Sequence, residues 1–306
     1  MMKIIIAGGS GFIGRYLAEY LSTSGYEVIV LSRNPQRAEA AFSKNITCLL
    51  WDDFNTSAWQ DALESSEVVI NLIGENVGQW PWTDQIKHKI LFSRLHAGQT
   101  IVQAIHKANN KPRLLIQTSA TGYYGNNNKD ELTEDSAAGS GFLADVCRQW
   151  EYSTNEVESM GMNRSIIRIG LVLGRQGGLL KKTMFPFKLF VGGPVGSGDQ
   201  MLPWIHRDDL IAAIRFIIES KHPKKLYNTC APNPVTMNTF AQILGKTLKR
   251  PSVFRVPELI VKLIFGEMGR ETILSGQNAV PKTLMDAGYK FKYTTLTEAL
   301  SDLVTQ

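Results

Sequence analysis

A glycine-rich turn between a strand and a helix, near the start of the chain, is the strongest constraint on the fold. The segment IIIAGGSGFIG places Gly8, Gly11 and Gly14 at three-residue spacing and contains the pattern G-x-G-x-x-G. A β-branched run over 3–7 precedes the turn, and apolar residues at helical spacing follow it over 12–24. Glycines let such a turn form and let a pyrophosphate approach the backbone, while the helix N-terminus offers unpaired N–H groups. The turn predicts a dinucleotide site, and an ordinary glycine-rich turn is the alternative.

Much of the remaining chain repeats this alternation of strand and helix. Short β-branched runs predict strands at 3–7, 28–31, 47–51, 68–72, 114–119, 165–173 and 226–230, and segments of helical period, such as 207–219, lie between them. Such alternation is typical of a parallel sheet covered by helices on both faces, with ligands beyond the carboxyl ends of the strands. The predicted fold class is α/β, a Rossmann-like doubly wound parallel sheet.

A second, smaller lobe is predicted where the alternation breaks. Residues 174–203 are rich in Gly and Pro, and residues 233–306 read as mostly helical. We therefore expect a dinucleotide-binding domain over 1–173, completed by 204–232. The two remaining segments are expected to form a mostly helical substrate-binding lobe.

Composition excludes several classes of protein. The chain has 306 residues, 43% hydrophobic and 20% charged, which gives enough apolar content for a sizeable core and too much for disorder. A net charge of +5 favours an anionic ligand, but the Lys and Arg are scattered, so nucleic-acid binding is not expected. Cys48, Cys147 and Cys230 are far apart and form no Cys-x-x-Cys pair, so neither a disulfide framework nor a metal site is indicated.

The sequence also predicts a cytoplasmic protein without a membrane partner. No window approaches the ~20 apolar residues of a membrane span, and the apolar start is too short for a signal peptide. The run at 257–265 has its Leu and Ile residues on one face, and its short length and Lys262 favour packing on the core over entry into a membrane. A homodimer is compatible with the sequence, which specifies no oligomeric state.

The end of the second predicted strand indicates which dinucleotide binds. Roughly 20 residues after the glycine turn, an NAD site carries an acidic residue that binds the ribose 2′-hydroxyl. This chain reads IVLSRNP there, and Ser32 and Arg33 can bind a 2′-phosphate instead. NADP(H) is therefore predicted over NAD(H), and a solvated surface arginine is the alternative.

Three further strand ends complete the predicted cofactor site. Asp52 and Asp53 follow the third strand, within reach of an adenine or in a surface loop, and Ser119 ends the fifth. Leu72 and Gly74 follow the fourth strand, where glycine lets the backbone lie close to a dinucleotide. The predicted cofactor-binding set is Gly8, Ser10, Gly11, Phe12, Ile13, Gly14, Ser32, Arg33, Asp52, Leu72, Gly74 and Ser119.

Several of these segments also carry a family resemblance. GGSGFIG at the start, NLIG after the fourth predicted strand, TSATGYYG after the fifth and PWIHRDDL at 203–210 together resemble the extended short-chain dehydrogenase/reductase superfamily, in its NAD-dependent epimerase/dehydratase group. SATGYYG, GFLADVCRQWE, GGPVGSGDQMLPWIH and GEMGRETILSGQNAVPKTL are similar to one branch, called the epimerase family and sometimes labelled a cell-division inhibitor, which lends no secure activity. The resemblance covers nearly the whole chain and implies the same Rossmann-like fold.

The resemblance reveals a departure at the catalytic position. In active members of the superfamily, a Tyr and a Lys four residues apart on one helix face exchange a proton and hold the nicotinamide ribose. Leu143 and Cys147 stand at those positions, and leucine cannot titrate while cysteine lacks the fixed charge of lysine. The resemblance therefore implies a nicotinamide site without its usual acid/base pair.

Other residues are candidates for the missing proton donor. Ser119 lies near the place of the family's catalytic Ser or Thr, and Tyr123 follows it, although a tyrosine without a cationic neighbour keeps a pKa near ~10. Glu75 is a further candidate because burial can raise the pKa of a carboxylate, and surface exposure is its alternative. Tyr124 matches a structural Tyr-Gly turn of the family and is expected to pack.

Candidate substrate residues lie on other segments. Arg94 and Arg168 can neutralise anionic groups or form an internal ion pair. Gln200 lies in a Gly-rich loop that can close over a substrate. Trp204 and His206 belong to the WIHRDDL segment, where a histidine is more often structural than catalytic.

Two functions follow as hypotheses. The first is an NADP(H)-dependent oxidoreductase or isomerase that acts on a small polar substrate, whose identity the sequence does not specify. The second is a non-catalytic NADP(H) sensor, in which cofactor binding moves the second lobe and changes the binding of a protein partner. The absence of the Tyr and Lys motivates the second hypothesis.

Overall fold

Seven parallel strands form the central sheet of the molecule. The computed structural model describes residues 1–43, 45–175 and 177–305. Positions 44, 176 and 306 fall within the predicted domains but outside the described residues. In chain order, the strands are β1 (Lys3–Ala7), β2 (Glu27–Ser32), β3 (Ile46–Leu50), β4 (Val68–Asn71), β5 (Leu114–Ala120), β6 (Asn127–Leu132), β7 (Asn163–Ile169), β8 (Leu171–Gly174), β9 (Met201–Leu202), β10 (Trp204–His206), β11 (Leu226–Thr229), β12 (Val235–Thr236) and β13 (Gln277–Ala279).

The helices alternate with these strands in the first half of the chain and dominate its end. They are α1 (Phe12–Thr23), α2 (Pro35–Glu39), α3 (Ser57–Glu64), α4 (Asp84–Lys107), α5 (Phe142–Tyr152), α6 (Gly178–Lys188), α7 (Arg207–Glu219), α8 (Met237–Leu248), α9 (Glu258–Met268), α10 (Lys282–Asp286) and α11 (Leu296–Thr305). The central sheet has the order β3-β2-β1-β4-β5-β7-β11, and all its neighbouring strands are parallel.

Helices cover both faces of this sheet. Ile4 and Ile6 of β1 pack in one core with α1 and α7, whereas Ile5 and Ala7 pack in a second core with α3 and α4. Successive strand residues point to opposite faces, so a strand buried on both sides is apolar throughout. The arrangement confirms the predicted α/β, doubly wound fold. It also places the point where the strand order reverses, and hence the ligand crevice, between β1 and β4.

The predicted single strand at 165–173 is in fact two strands. β7 stays in the central sheet, whereas β8 leaves it and pairs with β10. The break falls at Gly170, where a Cβ would lie only 2.0 Å from the carbonyl oxygen of Pro203. Leu171 donates its N–H to that oxygen at 2.8 Å. Sequence periodicity does not predict this break between β7 and β8, because the break depends on Pro203, a residue distant in the chain.

The segments 174–203 and 233–305 share a third core. Leu180 and Phe187 of α6, Phe240 and Leu244 of α8, and Leu300 of α11 lie in one buried cluster. The residues after 232 are mostly helical, as expected. The Gly and Pro content of 174–203 does not predict α6, which accommodates Pro186 inside the helix.

Helix α9 exposes the apolar face that the sequence predicts to be buried. Leu259, Ile260, Leu263 and Ile264 are 66%, 44%, 76% and 50% exposed, whereas Val261 is 2% exposed. The prediction that this face packs on the core is wrong. Helical periodicity identifies the residues that share a face but not the face that meets the core. Within the described parts of the chain, no helix is both long and apolar enough to cross a bilayer.

Candidate functional site

The glycine turn joins β1 to α1 at the crevice. Gly8 has a φ of +79°, which favours glycine, and its N–H donates to the carbonyl of Leu31 in β2 at 3.2 Å. A Cβ on Gly14 would lie 2.5 Å from the Cα of Gly9, so α1 can approach the turn only because residue 14 is glycine. The N-terminal N–H groups of a helix lack intrahelical acceptors, and α1 therefore presents donors and a positive dipole end at the turn.

A cavity of about 220 Å³ lies beside this turn. It brings together residues from the ends of β1, β2 and β4 that the sequence places in the cofactor site. These are Gly8, Ser10, Gly11, Ser32, Arg33, Leu72 and Gly74. Leu31, Trp51, Ile73 and Ser93 also line the cavity, and the sequence does not predict them. Asp53, one of the acidic pair predicted to reach the adenine, lines it as well. Glu75, a candidate proton donor, lies on the same wall.

Asp52 does not line this cavity, in contrast to the prediction. Its carboxylate accepts a hydrogen bond from the N–H of Phe54 at 2.9 Å, which turns it back into its own loop. Asp53 lines the cavity instead and accepts a hydrogen bond from Trp51 Nε1 at 2.6 Å. Sequence reasoning locates the acidic pair at the strand end but cannot tell which member faces the crevice.

A second cavity, of about 340 Å³, adjoins the first at Ser10, Ser32 and Arg33. Arg15 from α1 and Arg37 from α2 line it together with Arg33, and none of its lining residues is acidic. The Ser32 hydroxyl donates to Ser10 Oγ at 3.2 Å and so joins the two cavities. Three guanidinium groups around one cavity favour an anion with several oxygens. Arg15 and Arg37 escape the sequence analysis because only the fold brings α1 and α2 beside the end of β2.

Phe12 and Ile13, both in the predicted cofactor set, use their side chains for packing. The Phe12 ring lies against the backbone of Gly174 and Gly177, where added Cβ atoms would come within 2.6 and 2.4 Å of it. Ile13 packs against the first core. Both side chains are half-buried in these contacts, and Phe12 also lines a cavity beside Ser10 and Gly11.

Arg94 of α4 lies behind Gly74. A Cβ on Gly74 would be 3.0 Å from the Arg94 guanidinium carbon, so glycine is needed there to admit the arginine. The guanidinium donates to the Ile90 carbonyl at 2.7 Å and lies 4.7 Å from the centre of the Trp150 ring. Burial lowers the pKa of Arg94 to about 10, and the nearby charge of Glu75 opposes that shift. Among the described residues, no carboxylate lies within ion-pair distance of Arg94.

The face of α5 that meets β5 carries Glu151, one helical turn beyond Cys147, and Glu151 forms an ion pair with Arg168. Cys147 is 4% exposed, and burial raises the pKa of its thiol to about 11. Glu151 accepts a hydrogen bond from the Ser119 hydroxyl at 2.6 Å and two from the Arg168 guanidinium at 2.9 and 3.0 Å. Leu143, Cys147 and Glu151 are spaced four apart, so the helical spacing that reveals the missing pair also indicates Glu151.

Further hydrogen bonds from Arg168 extend this network to Tyr124 and Asn228. The Tyr124 hydroxyl accepts a hydrogen bond from Arg168 at 3.0 Å and donates one to Asn228 at 2.7 Å. Although burial alone would lower the pKa of Arg168, its hydrogen bonds and charge contact with Glu151 raise it above the usual range. Burial raises the pKa of Tyr124 to about 12. Ser119 is only 2% exposed, and its hydroxyl proton is donated to Glu151. Only the lone pairs of its oxygen therefore remain for a ligand.

Tyr123 does have a cationic neighbour, contrary to the sequence-based expectation. The Arg168 guanidinium carbon lies 3.3 Å from the centre of the Tyr123 ring. The pairing could not be read from the sequence because Arg168 is on β7 and Tyr123 follows β5. Of the candidate proton donors, Tyr123 and Glu75 are half-buried and Ser119 is fully buried.

Gln200, Trp204 and His206 lie inside the protein and not in the open crevice. Gln200 Nε2 donates to the carbonyl groups of Val195 and Ile273. Trp204 is completely buried, and its Nε1 donates to the Asn233 carbonyl at 2.9 Å. These contacts correct the expectation that Gln200 and Trp204 face a substrate.

His206 also has a structural position. It is completely buried, its Nδ1 accepts a hydrogen bond from the Asp208 N–H at 3.1 Å, and its ring centre lies 3.9 Å from that of Tyr293. Burial lowers the pKa of His206. The histidine thus caps the start of α7, and its predicted contact with a substrate is corrected.

Comparison with known proteins places this site in a family. The model of the NAD dependent epimerase/dehydratase family matches residues 4–230, and that of a domain of unknown function (DUF1731) matches residues 256–303. The chain belongs to the NAD dependent epimerase/dehydratase family. Epimerase family protein YfhF of Bacillus subtilis is 36% identical over 305 residues, covering 99% of this chain and 98% of the relative. The chloroplastic SDR39U1 homolog of Arabidopsis thaliana is 35% identical over 98% of this chain and 86% of its own length.

A solved structure extends the comparison to three dimensions. The crystal structure of human epimerase family protein SDR39U1 (isoform 2) with NADPH superimposes with a TM-score of 0.86 at 29% identity, covering 100% of both chains. UDP-glucuronic acid 4-epimerase from Bacillus cereus shares the fold at 16% identity, with a TM-score of 0.78 over 99% of this chain and 98% of that one. The glycine turn, the crevice, Leu143 and Cys147 all lie within the residues 4–230 that match the family model.

Proposed function

We propose that this chain binds NADP(H) in the crevice and acts as an oxidoreductase or isomerase on a small polar substrate. The observation that carries the cofactor assignment is the cavity lined by Arg15, Arg33 and Arg37 beside the end of β2. A 2′-phosphate is a doubly charged group with several acceptor oxygens, and guanidinium groups bind such groups in a bidentate way. A structure of human SDR39U1 with NADPH supports the same assignment.

The glycine turn would bind the pyrophosphate of this cofactor. Gly8, Ser10 and Gly11 line the adjoining cavity, and the N-terminus of α1 presents donors beside them. Leu72 and Gly74 would lie along the dinucleotide on the opposite wall. When bound, NADPH supplies a hydride, and the chain must supply or accept a proton.

We assign that proton first to Tyr123 and second to Glu75. The Tyr123 ring is half-buried, and the Arg168 guanidinium carbon lies 3.3 Å from its centre. Glu75 lies on the cavity wall, and its carboxylate accepts a hydrogen bond from Gln79. Ser119 would act on Tyr123 or a substrate only as an acceptor, because its own proton is held by Glu151.

The lobe made of 174–203 and 233–306 would bind the substrate. Gln200 donates hydrogen bonds to Val195 and Ile273, one in each segment, and so fixes their separation. We place the anionic part of a substrate near Arg94, since this buried guanidinium has no carboxylate partner among the described residues.

The experiment that tests this proposal is deuteride transfer. The pure protein is incubated with 4-deuterated NADPH and a small-molecule extract, and the products are searched by mass spectrometry for a gain of one deuterium. Gly11→Asp serves as the control because it places a carboxylate at the pyrophosphate position, where its Cβ meets only the Gly8 carbonyl oxygen at 3.3 Å. A product that is labelled by the wild type and not by this variant identifies the substrate.

Substitution then separates the candidate proton donors. Loss of a general acid or base typically slows a reaction about 10²–10⁴-fold, so Tyr123→Phe is expected to slow deuteride transfer by at least ~100-fold with unchanged NADPH affinity. Glu75→Gln is the parallel variant. If both variants retain the wild-type rate, neither residue handles the proton.

The closed network below α5 favours a second candidate, a non-catalytic NADP(H) sensor. Leu143 and Cys147 offer no titratable group near neutral pH, and Ser119, Glu151 and Arg168 satisfy one another. A sensor would bind NADPH and change conformation without transferring hydride. Absence of label despite NADPH binding, together with a changed protease-cleavage pattern, would favour this candidate, whereas an unchanged pattern would count against it.

A further inference from the structure

The second lobe carries a surface that is both apolar and basic. It is formed by two segments, 178–198 and 237–257, which we call the basic apolar face. Its large apolar side chains are between 52% and 75% exposed. They are Phe185, Leu189, Phe190, Val191, Val253 and Phe254. Single exposed apolar residues are ordinary, but a contiguous group of this size marks an interaction site.

Backbone contacts make the two segments one continuous surface. The N–H of Phe254 donates to the Gly192 carbonyl at 3.3 Å, and that of Val256 donates to the Pro194 carbonyl at 3.0 Å. The Arg250 guanidinium lies 4.4 Å from the centre of the Phe190 ring. Beyond Val256 the chain enters α9, whose exposed Leu259 and Leu263 extend the apolar surface.

The charge of this face has one sign. Segment 178–198 contains three Lys, and segment 237–257 contains four Lys and Arg, while neither contains an Asp or a Glu. The side chains of Lys188, Lys246, Lys249, Arg250 and Arg255 are exposed. Among the described residues, Lys188, Lys249, Arg250 and Arg255 form no ion pair with a carboxylate. Arg255 donates hydrogen bonds to the carbonyl groups of Gly196 and Ser197 and to Asn238 Oδ1. Lys188, Lys249 and Arg250 therefore carry the charges that face an external partner.

The backbone at Phe190 holds an aromatic side chain outward in an unfavourable conformation. Its φ is +63°, in the left-handed region that disfavours bulky residues, and its side chain is 53% exposed. Neither the fold of the turn nor core packing explains a phenylalanine there, since glycine would fit the backbone better. Strained residues with exposed side chains cluster at functional sites, which supports a role for this ring in an external contact.

We propose that the basic apolar face docks this protein on the surface of an anionic phospholipid bilayer. A second copy of the chain is disfavoured because two faces of this kind would bring their positive charges together. Protein interfaces are generally depleted of Lys, whereas this face carries the exposed Lys188, Lys246 and Lys249. Apolar side chains that enter the acyl boundary, with Lys and Arg at the headgroups, are the arrangement of proteins that lie on membranes.

Vesicle sedimentation of the full-length chain tests this docking. We expect binding to vesicles of phosphatidylcholine mixed with phosphatidylglycerol, weaker binding to phosphatidylcholine alone, and a loss of binding as salt is raised. Lys188→Glu with Arg250→Glu is expected to weaken binding at least ~10-fold. The matched control is Lys221→Glu with Lys224→Glu, which makes the same change in net charge on an exposed loop outside this face, and which should bind within about twofold of wild type.

Phe190→Gly separates docking from a structural role. We expect it to weaken vesicle binding roughly 10-fold, because an inserted aromatic ring is lost, without lowering the thermal unfolding midpoint, because glycine suits the backbone. The proposal is overturned if the wild type fails to sediment with anionic vesicles at low salt. It is also overturned if the two charge-reversal pairs weaken binding equally, or if the wild type sediments instead with an acidic protein and not with lipid.

Discussion

The two ends of the crevice differ in the kind of group that forms them. At the glycine turn, the wall consists largely of backbone and of arginines that point into open cavities of about 220 and 340 Å³. Along α5, the side chains that would do chemistry in related enzymes are replaced, and Glu151, Arg168 and Ser119 bind one another. The N–H and guanidinium groups at the glycine turn face open cavities, whereas the polar side chains along α5 are bound to one another.

This difference indicates that cofactor binding and proton transfer depend on separate sets of groups in such a fold. Binding of a pyrophosphate depends on glycine geometry and on N–H groups, which side-chain substitutions elsewhere do not alter. Proton transfer depends on a few titratable side chains whose pKa values burial and neighbouring charges determine. A chain can therefore lose the second and retain the first. Four predictions test how far the two ends are independent.

The largest effect is expected at the buried ion pair. Arg168→Met leaves the Glu151 carboxylate 9% exposed and without its charged partner, and such a change typically lowers the free energy of unfolding by about 3–5 kcal/mol. Arg148→Met on α5, the helix that carries Glu151, is the control, since the pair of Arg148 with Asp145 is exposed and worth about 0–1 kcal/mol. Urea unfolding measures both. Equal losses for the two variants would show that the buried network contributes little.

Next in size is the effect of reversing charge at the cofactor end. Arg33→Glu should weaken NADPH binding about 10- to 100-fold, because hydrogen bonds to a charged group contribute ~1.5–3 kcal/mol, and should change NADH binding far less. Isothermal titration with both dinucleotides provides the measurement, and Arg33→Lys tests whether charge alone suffices. Similar losses for NADPH and NADH would remove the 2′-phosphate assignment.

Restoring the catalytic lysine is expected to damage the α5 end. Cys147 is 4% exposed and lies near Arg94, so Cys147→Lys should lower the free energy of unfolding by about 1–3 kcal/mol through overpacking and like-charge repulsion. Leu143→Tyr should be tolerated better, because Leu143 is half-buried. Urea unfolding of each single variant checks the order. A stable double variant with faster hydride transfer would show instead that the site still accepts the family's pair.

The smallest effect is a pH dependence at the same cysteine. The ordinary thiol pKa is 9.0, and burial raises the pKa of Cys147 to about 11. Between these values the unfolded chain loses a proton that the folded chain keeps, so the free energy of unfolding falls as pH rises, by up to ~1.4 kcal/mol per pH unit. Cys147→Ala should show a shallower fall. Urea titrations across this range provide the comparison, and identical slopes would contradict the burial of the thiol.

Residues close together in sequence made the cofactor end predictable. The turn at Gly8, Gly11 and Gly14 and the Ser32-Arg33 pair are local patterns, and the structure gathers them around one crevice. Arg15 and Arg37 were out of reach because their proximity to Arg33 depends on how two helices pack. Asp52 and Asp53 show the limit of local reasoning, since adjacent residues on a strand end point in different directions.

The α5 end shows where sequence reasoning stops. The spacing of Leu143 and Cys147 reveals that the acid/base pair is missing, and the same spacing indicates Glu151 as the next residue on that face. Its partners come from β5 and β7, which no periodicity connects to α5. For the same reason the exposure of Leu259 and Leu263 on α9 was not predictable, because amphipathic spacing does not state what the apolar face meets.

The sequence by itself determined the alternation of strands and helices, the glycine turn and the loss of the Tyr-Lys pair, since each depends on residues within one or two turns of one another. Tertiary structure alone decided the partners of Arg168, the three-arginine cavity, the burial of Trp204 and His206, and the basic apolar face. These depend on contacts between segments distant in the chain. Their energies arise from burial and charge pairing, which exist only once the segments have packed.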